Sequence, residues 1–510
     1  MNLAGGGWSS NLIVYLIKEF NVKSIDAAQI ANVVSGTFNL FPVFAAIIAD
    51  SFLDCFFVVW ISSVISVLPQ PCVNGVCKAP TRAQFGVLYA GICLATMGQG
   101  GRAVIATMGA NQFPDNPKNQ TIFFNWFFFT MYVAVLIAST VVVYVEDNVS
   151  WECGFYVCAG ANVVGLVAFL VGAPFYRRPK PEGSPCTGLA RVVVAAITKR
   201  KLQISPSENN FYYGKDILAK FTTPPPSTSF GFLNRAAMKG NGDVAADGSN
   251  KKQWRLCSVR EVEDFKTIIR IFPLWSTAIF LSTPIAMNLR LSILQALTMD
   301  RHLGRHFHIP AGSIVVFVFL STSLSLILFD RILSPAWKRL AGKPPTPLQR
   351  VGIGHVFNIA AMAVSAMVES KRRNVAAKSD ALIAPISVLW LLPQLALVGI
   401  GEAMHFPGQL ELYYQEFPAS LKNVSTSLAW VIIAIAFYLS TALIDLLRRV
   451  TGWLPDNINQ GRLENVYWLV TVVGVLNFAY FLICSWFYKY QNVKEVGHGE
   501  SNSIDIQSSL

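Results

Sequence analysis

Apolar residues in this chain fall in runs of about 20, the length a helix needs to cross a hydrocarbon core. The runs occupy Met1–Ile17, Ile25–Ala49, Phe52–Leu68, Phe85–Met108, Ile122–Val145 and Gly154–Tyr176. Six more follow at Thr267–Gln295, Ala311–Phe329, Gln349–Val368, Ala381–His405, Val424–Leu447 and Val466–Tyr488. In lipid a segment must satisfy its own backbone groups, so each run is expected to be a helix. Charged residues make up 14% of the chain and hydrophobic ones 53%, whereas soluble domains average about 25% charged. The fold class expected is an all-α, multi-pass membrane protein. The first run has no polar leader, so it is expected to be the second half of a truncated span. Met1–Ile17 has neither a basic start nor a small-residue cleavage site, so no cleavable signal peptide is expected.

The runs form two groups of six. Residues 1–176 are expected to make an N-terminal bundle and residues 266–488 a C-terminal one. Between them, residues 177–265 are polar, basic and rich in proline and serine, with an amphipathic surface helix expected at Leu189–Thr198. Residues 489–510 form a polar tail. Two groups of six point to a parallel repeat with the substrate site between the bundles. Arg177, Arg178, Lys180 and Lys199–Lys201 flank the sixth run, and Arg331, Lys338, Arg339, Lys343 and Arg350 follow the eighth. That places the linker and the tail in the cytoplasm. Lys371, Arg372 and Arg373 fall on the opposite side and run against this rule. The net charge of +12 is therefore read as orientation and contact with anionic membrane lipid, not as nucleic-acid binding.

No Walker A sequence and no nucleophile-with-base motif is visible, so neither an enzyme nor an ATP-driven pump is expected. No metal-ligand spacing stands out, and no cofactor is implied. Cys55, Cys93, Cys158 and Cys484 lie in apolar runs and are read as small hydrophobes. Cys72 and Cys77 flank a short polar loop; a local disulfide and two free thiols both stay open.

The chemistry on offer is binding and charge compensation. In the stretch Gly399–Glu411 a carboxylate, a histidine, a proline and three glycines arrive together. This reads as a broken, polar membrane helix and so as a binding-site candidate. Glu402 and His405 lie one turn apart, with Glu411 towards the end. Arg102 follows a glycine cluster in the fourth run, and Arg290 lies inside the seventh. A buried arginine offers a fixed positive charge and a planar donor fork, which suits a small anion. A buried carboxylate or histidine can exchange a proton. Blander readings stand beside these. Arg102 can be locked in a structural ion pair, Arg290 can snorkel to the membrane interface, and His405 can be a packing residue. Asp50 closes the second run and is read as a brace or gating residue. Within the aromatic run Phe123–Phe129, only Asn125 is a plausible cavity donor.

Several stretches together resemble the plant nitrate/peptide transporter family, a branch of the proton-dependent oligopeptide transporters with the major facilitator fold. They are NLIVYL (Asn11–Leu16), IIADSF (Ile47–Phe52), GANQF (Gly109–Phe113), FFNWFFF (Phe123–Phe129), VYVEDNVSW (Val143–Trp151), WRLCSVREVEDFK (Trp254–Lys266), MDRHLG (Met299–Gly304), VGIGHVF (Val351–Phe357) and GIGEAMHFPGQLE (Gly399–Glu411). NVKSIDAAQIANVVSG, STPIAM and YQEFP look closest to the nitrate excretion branch. The resemblance implies two six-helix bundles and a low-affinity, proton-linked plasma-membrane carrier of nitrate or chloride. Arg102 would supply positive charge from one bundle, and Glu402 a titratable group from the other. The family's Glu-x-x-Glu-Arg motif would lie before the first residue here. Arg102 stands where the family commonly has lysine, Ile285 where a related nitrate carrier has histidine, and Asp54-Cys55 where a Gly-Arg is usual. Two rival readings remain: a carrier of peptides or organic plant metabolites, and a non-transporting regulatory membrane protein.

Overall fold

The computed structural model describes residues 2–51, 82–98, 105, 108–109, 112, 127, 130–176, 185–202, 210–214, 225–240, 242–245, 249–251, 254–305, 307–342, 345–379, 383–417 and 422–488. Among the described residues of the N-terminal half the helices are α1 (Asn2–Lys18), α2 (Ser24–Ser51), α3 (Arg82–Gly98), α4 (Thr130–Asn148) and α5 (Trp151–Val171). The linker holds α6 (Pro185–Thr198). The C-terminal half holds α7 (Val259–Leu297), α8 (Ala311–Ala341), α9 (Pro347–Ser379), α10 (Leu392–Glu416), α11 (Lys422–Val450) and α12 (Leu463–Phe487). Among the described residues, 8 helices are long and apolar enough to cross a membrane.

Local chemistry sets where these helices begin. The Ser150 side chain accepts from the Cys153 N–H at 3.1 Å and caps α5. A capping box opens α7: Ser258 Oγ accepts from the Glu261 N–H at 3.2 Å, and Glu261 accepts from the Ser258 N–H at 2.8 Å. Reciprocal bonds of this kind satisfy donors that a helix start leaves unpaired. Two helices depart from their apolar runs. The tenth run starts at Ala381, but Ala384–Ser387 is a strand paired in parallel with Met299–Asp300. The helix proper begins after it, with Pro393 in its first turn, a position that favours helix entry.

The ninth run ends at Val368, which would leave three basic residues in a loop. Instead α9 continues to Ser379, and each of those residues has a partner inside the protein. Lys371 Nζ sits 3.4 Å from the centroid of the Trp390 ring. Arg372, fully buried, binds the equally buried Glu369 at 2.6 Å. Arg373 meets Glu464 at 2.6 Å. Arg372 is thus an interior charge and Arg373 a half-buried one, whereas Lys371 stays exposed beside its aromatic partner.

The linker also packs differently from expectation. Val192, Ala195 and Ala196 of α6 are buried against Phe211, Leu233, Ala236, Cys257 and Val262. Its inner side thus docks on the linker's own residues and on the start of α7. Lys199, just past α6, bonds Asp243 at 2.9 Å with both side chains 4% exposed. The outer residues Val193, Val194 and Ile197 remain exposed.

α5 runs towards the linker and α7 away from it. The starts of α2 and α5 and the ends of α1, α7 and α11 therefore lie on the far side of the molecule. Lys18 at the end of α1 pairs there with Asp147. The main apolar core joins both halves on this side. It includes Trp8, Leu12, Ile25 and Ala31 together with Ile285, Leu291, Ile314 and Leu447.

Candidate functional site

The glycine-rich stretch on α10 is not broken. The helix runs unbroken from Leu392 to Glu416, through Pro407. The expected break is corrected by packing: the glycines let neighbouring helices come close. A methyl group at Gly401 would stand 2.7 Å from Asn358 Oδ1 on α9, and one at Gly399 would stand 2.5 Å from the Val318 carbonyl on α8. Thr322 Oγ1 donates to the Gly399 carbonyl at 3.2 Å, and Ser321 Oγ to that of Ala396 at 2.8 Å.

Glu402 emerges half-buried from this helix. Among the described residues it has no hydrogen bond and no ion pair. Its carboxylate acts electrostatically on Tyr132 of α4, in the other half. Glu402 therefore lies within electrostatic reach of the N-terminal half. His405 takes a different direction. It is 4% exposed and packs on α9, where a methyl group at Gly354 would lie 2.6 Å from its Cβ. His355 of α9 in turn stacks on Phe481 at 4.7 Å. Glu411 is engaged by Arg350 at 3.1 Å.

Arg290 does not snorkel. It is buried between the halves, its Nη2 donating to Ser35 Oγ and, at 3.5 Å, to the Ala31 carbonyl of α2. Its guanidinium lies 5.6 Å from the centroid of the Phe437 ring of α11. The acceptors it turns to, Ser35 Oγ and the Ala31 carbonyl, both belong to α2. At 1.5 Å per residue these lie about 10 to 16 Å along α2 from its far-side end. Among the described residues Nε has no partner and no carboxylate pairs with Arg290. It is a buried positive charge without a counter-ion.

Beyond Arg290 the two halves are zipped together. Asn32 Nδ2 donates to Ser440 Oγ at 3.1 Å, and Thr37 Oγ1 and Tyr438 Oη are 2.8 Å apart. At the far-side end, Arg448 binds Asp26 and, at 2.7 Å, Asp456. Lys23 Nζ reaches Asp456 at 2.5 Å. The Lys23 bond is the main reason the Asp456 carboxyl is held below the ordinary carboxylate range.

Arg102, Asn125, Cys72 and Cys77 lie outside the described residues. Asp50 belongs to the last turn of α2, with its side chain outside the described part. Among the buried carboxylates that went unread in the sequence are Glu146 and Glu369. Each sits just beyond the end of an apolar run, where a charge is ordinarily taken for a loop residue. The available signal was the next apolar residues on the same helical face. Glu369 accepts from Gln295 at 2.6 Å and from Arg372, which also donates to Asn459 at 2.5 Å. Among the described residues no group of His, Cys, Asp and Glu is arranged to hold a metal ion.

The POT family model matches residues 55–461. Protein NRT1/PTR FAMILY 2.6 of Arabidopsis thaliana is 51% identical, with 99% of this chain and 93% of that protein aligned. Protein NRT1/PTR FAMILY 2.7 of the same plant is 50% identical over the same shares. Among solved structures, an auto-inhibited POT family peptide transporter superposes with a TM-score of 0.70 at 17% identity, covering 96% of this chain and 95% of its own. At that identity the likeness speaks for the fold, the two-bundle arrangement expected from the apolar runs. The family match spans most of the chain, and the plant relatives align along nearly all of it. The chain belongs to the POT family of membrane transporters.

Proposed function

We propose that this transporter carries nitrate, or an anion of similar size and charge such as chloride, across the plasma membrane by alternating access. The observation that carries this reading is Arg290. A guanidinium taken out of water needs a counter-charge, and here no side chain among the described residues provides one. A small planar anion would neutralise it and match its donor fork. A zwitterionic peptide would bring a second charge needing its own partner.

In this reading residues 1–176 and 266–488 move as two bodies, with the linker 177–265 joining them on the cytoplasmic side. The α2–α11 zipper closes the outer side, so the conformation described is closed outwards. Glu402, within electrostatic reach of Tyr132, is the titratable group of the C-terminal body, and its protonation would accompany anion movement. Arg102, Asn125 and Asp50 keep their places on sequence grounds, Arg102 as the counterpart charge in the N-terminal body.

The test is nitrate flux into proteoliposomes. Loss of a charge-assisted hydrogen bond to the substrate is worth about 1.5–3 kcal/mol, so Arg290→Gln is expected to lower flux by about tenfold or more. Arg290→Lys keeps the charge and should retain part of it. Unchanged nitrate flux in Arg290→Gln and in Glu402→Gln would overturn the reading.

A further inference from the structure

Glu146, near the far-side end of α4, is 2% exposed. Among the described residues neither carboxyl oxygen has a hydrogen-bond partner and no basic side chain pairs with it. The Asn11 carboxamide of α1 stands beside it. Asn11 is 1% exposed, and its own oxygen and nitrogen are unpartnered as well. A cavity of ≈ 40 Å³, lined by Trp8, Tyr15, Trp151 and Phe155, opens on the carboxyl. That is room for one or two water molecules. The position is a built one: a methyl group at Gly154 would collide with Glu146 Cγ.

The donor count explains what this pair lacks. A carboxylate accepts only, and an amide brings donors on one side and an acceptor on the other. With Glu146 ionised, Asn11 can donate to one oxygen, while its own carbonyl confronts the other and repels it. One added proton resolves this. The Glu146 O–H then donates to Asn11 Oδ1, the Asn11 N–H donates to the remaining Glu146 oxygen, and no net charge stays buried.

The other charges nearby are already engaged or point away. Asp147 binds Lys18 and is felt by Arg301 and His308 from the loop after α7. Glu19 accepts from the Trp151 indole N–H at 3.0 Å. Glu152 on α5 and Tyr89 on α3 are exposed. Cys158 on α5 is within electrostatic reach of the carboxyl, and Tyr15 lines the same cavity. The start of α8, Ala311–Val315, carries no titratable group. It does carry Gly312, where a methyl group would stand 2.7 Å from Asn11 Oδ1. The Asn11–Glu146 pair therefore touches the C-terminal half through Gly312.

We propose that Glu146 and Asn11 form a proton-binding site in the N-terminal half, and that the bound proton holds the contact with Gly312 closed. Loss of the proton leaves a buried carboxylate that draws water into the cavity and loosens that contact. The link to the transport cycle rests on the transporter reading above, but the site itself does not depend on which solute is carried.

Wild-type protein in liposomes, treated with a hydrophobic carbodiimide and mapped by mass spectrometry, tests the site without a mutation. Carbodiimides modify protonated carboxyl groups. Labelling of Glu146 is expected to be at least about fivefold greater at pH 5.5 than at pH 8.5, as for one titrating group. No labelling, or equal labelling at both pH values, overturns the proposal. The seam is tested with Ser313→Cys and a membrane-impermeant thiol reagent, corrected for the parent protein. Each rate is divided by that of the same thiol in denatured protein at the same pH, which cancels thiolate ionisation. The normalised rate should be about threefold or more faster at pH 8.5, and its pH dependence should vanish when Glu146→Gln is added. A normalised rate that is pH-independent, or still pH-dependent with Glu146→Gln, overturns the link to Gly312. Neither readout uses nitrate, so failure of the nitrate reading leaves both results interpretable.

Discussion

Lys23 and Asp456 meet at 2.5 Å although 433 positions separate them in sequence. The contact joins the start of α2 to the loop after α11. Arg448 shares the same carboxylate and adds Asp26. These exposed pairs form an outer latch between the halves. Arg448→Gln removes two of its contacts and is expected to raise far-side accessibility by about two- to tenfold, the range of one or two weak ion pairs. Added salt should reproduce part of the effect. Reaction of an impermeant thiol reagent with a cysteine placed in α2 measures it, and an unchanged rate in both cases would remove the latch from the mechanism.

Acid should leave that latch intact over the working range. Asp456 is held below its ordinary range, chiefly by the bond from Lys23. A depressed carboxylate contributes its stability fully above the unfolded value and loses it only as pH falls through the lower, folded value. Between about pH 7.5 and 5.5 the carboxylate stays ionised. Any pH dependence of flux in that interval is therefore expected to survive Asp456→Asn. Its disappearance in that variant would contradict this account.

The buried Glu369–Arg372 pair makes a stability prediction. Glu369→Gln leaves Arg372 buried without its counter-charge, which costs about 3–5 kcal/mol. The double change Glu369→Gln with Arg372→Met removes both charges and should recover much of the loss. Thermal unfolding in detergent, followed by intrinsic fluorescence, compares the two. A double variant no more stable than the single one would show that the surrounding amides need the ion pair itself.

Gly401→Ala places a methyl group 2.7 Å from Asn358 Oδ1. Overpacking of this kind costs about 1–3 kcal/mol. The expected outcome is a lower unfolding temperature together with reduced flux, because α10 also carries Glu402. Asn358→Ala in the same chain frees the space and should restore stability. If it does not, the contact is not the cause.

Asp243→Ala strips Lys199 of its partner where both side chains are 4% exposed. Among the described residues Lys199 would keep the Met238 carbonyl at 2.6 Å. α6 is then expected to detach from its apolar seat, and trypsin should cut the linker several-fold faster, following the larger population of the open form. Equal cleavage rates would mean that the buried apolar residues alone hold α6 in place.

Length and local patterning settled the class of this protein before any contact was known. A run of about 20 apolar residues satisfies its own backbone as a helix in lipid, and the family signatures lie along those runs. Glu402 and Arg290 were conspicuous for the same reason, as rare charges inside apolar segments. Partnership was another matter. Nothing near Arg290 in sequence announces Ser35, and nothing near Glu146 announces Asn11 or Gly312. The glycines around Glu402 looked like a helix break and proved to be contact surfaces. Arg372 and Arg373 looked like loop charges and proved to be held in ion pairs with Glu369 and Glu464. Helix formation is decided within a few residues of chain, so sequence reports it. Whether a buried charge is paired depends on which face of which distant helix meets it, and that is decided only when the helices pack.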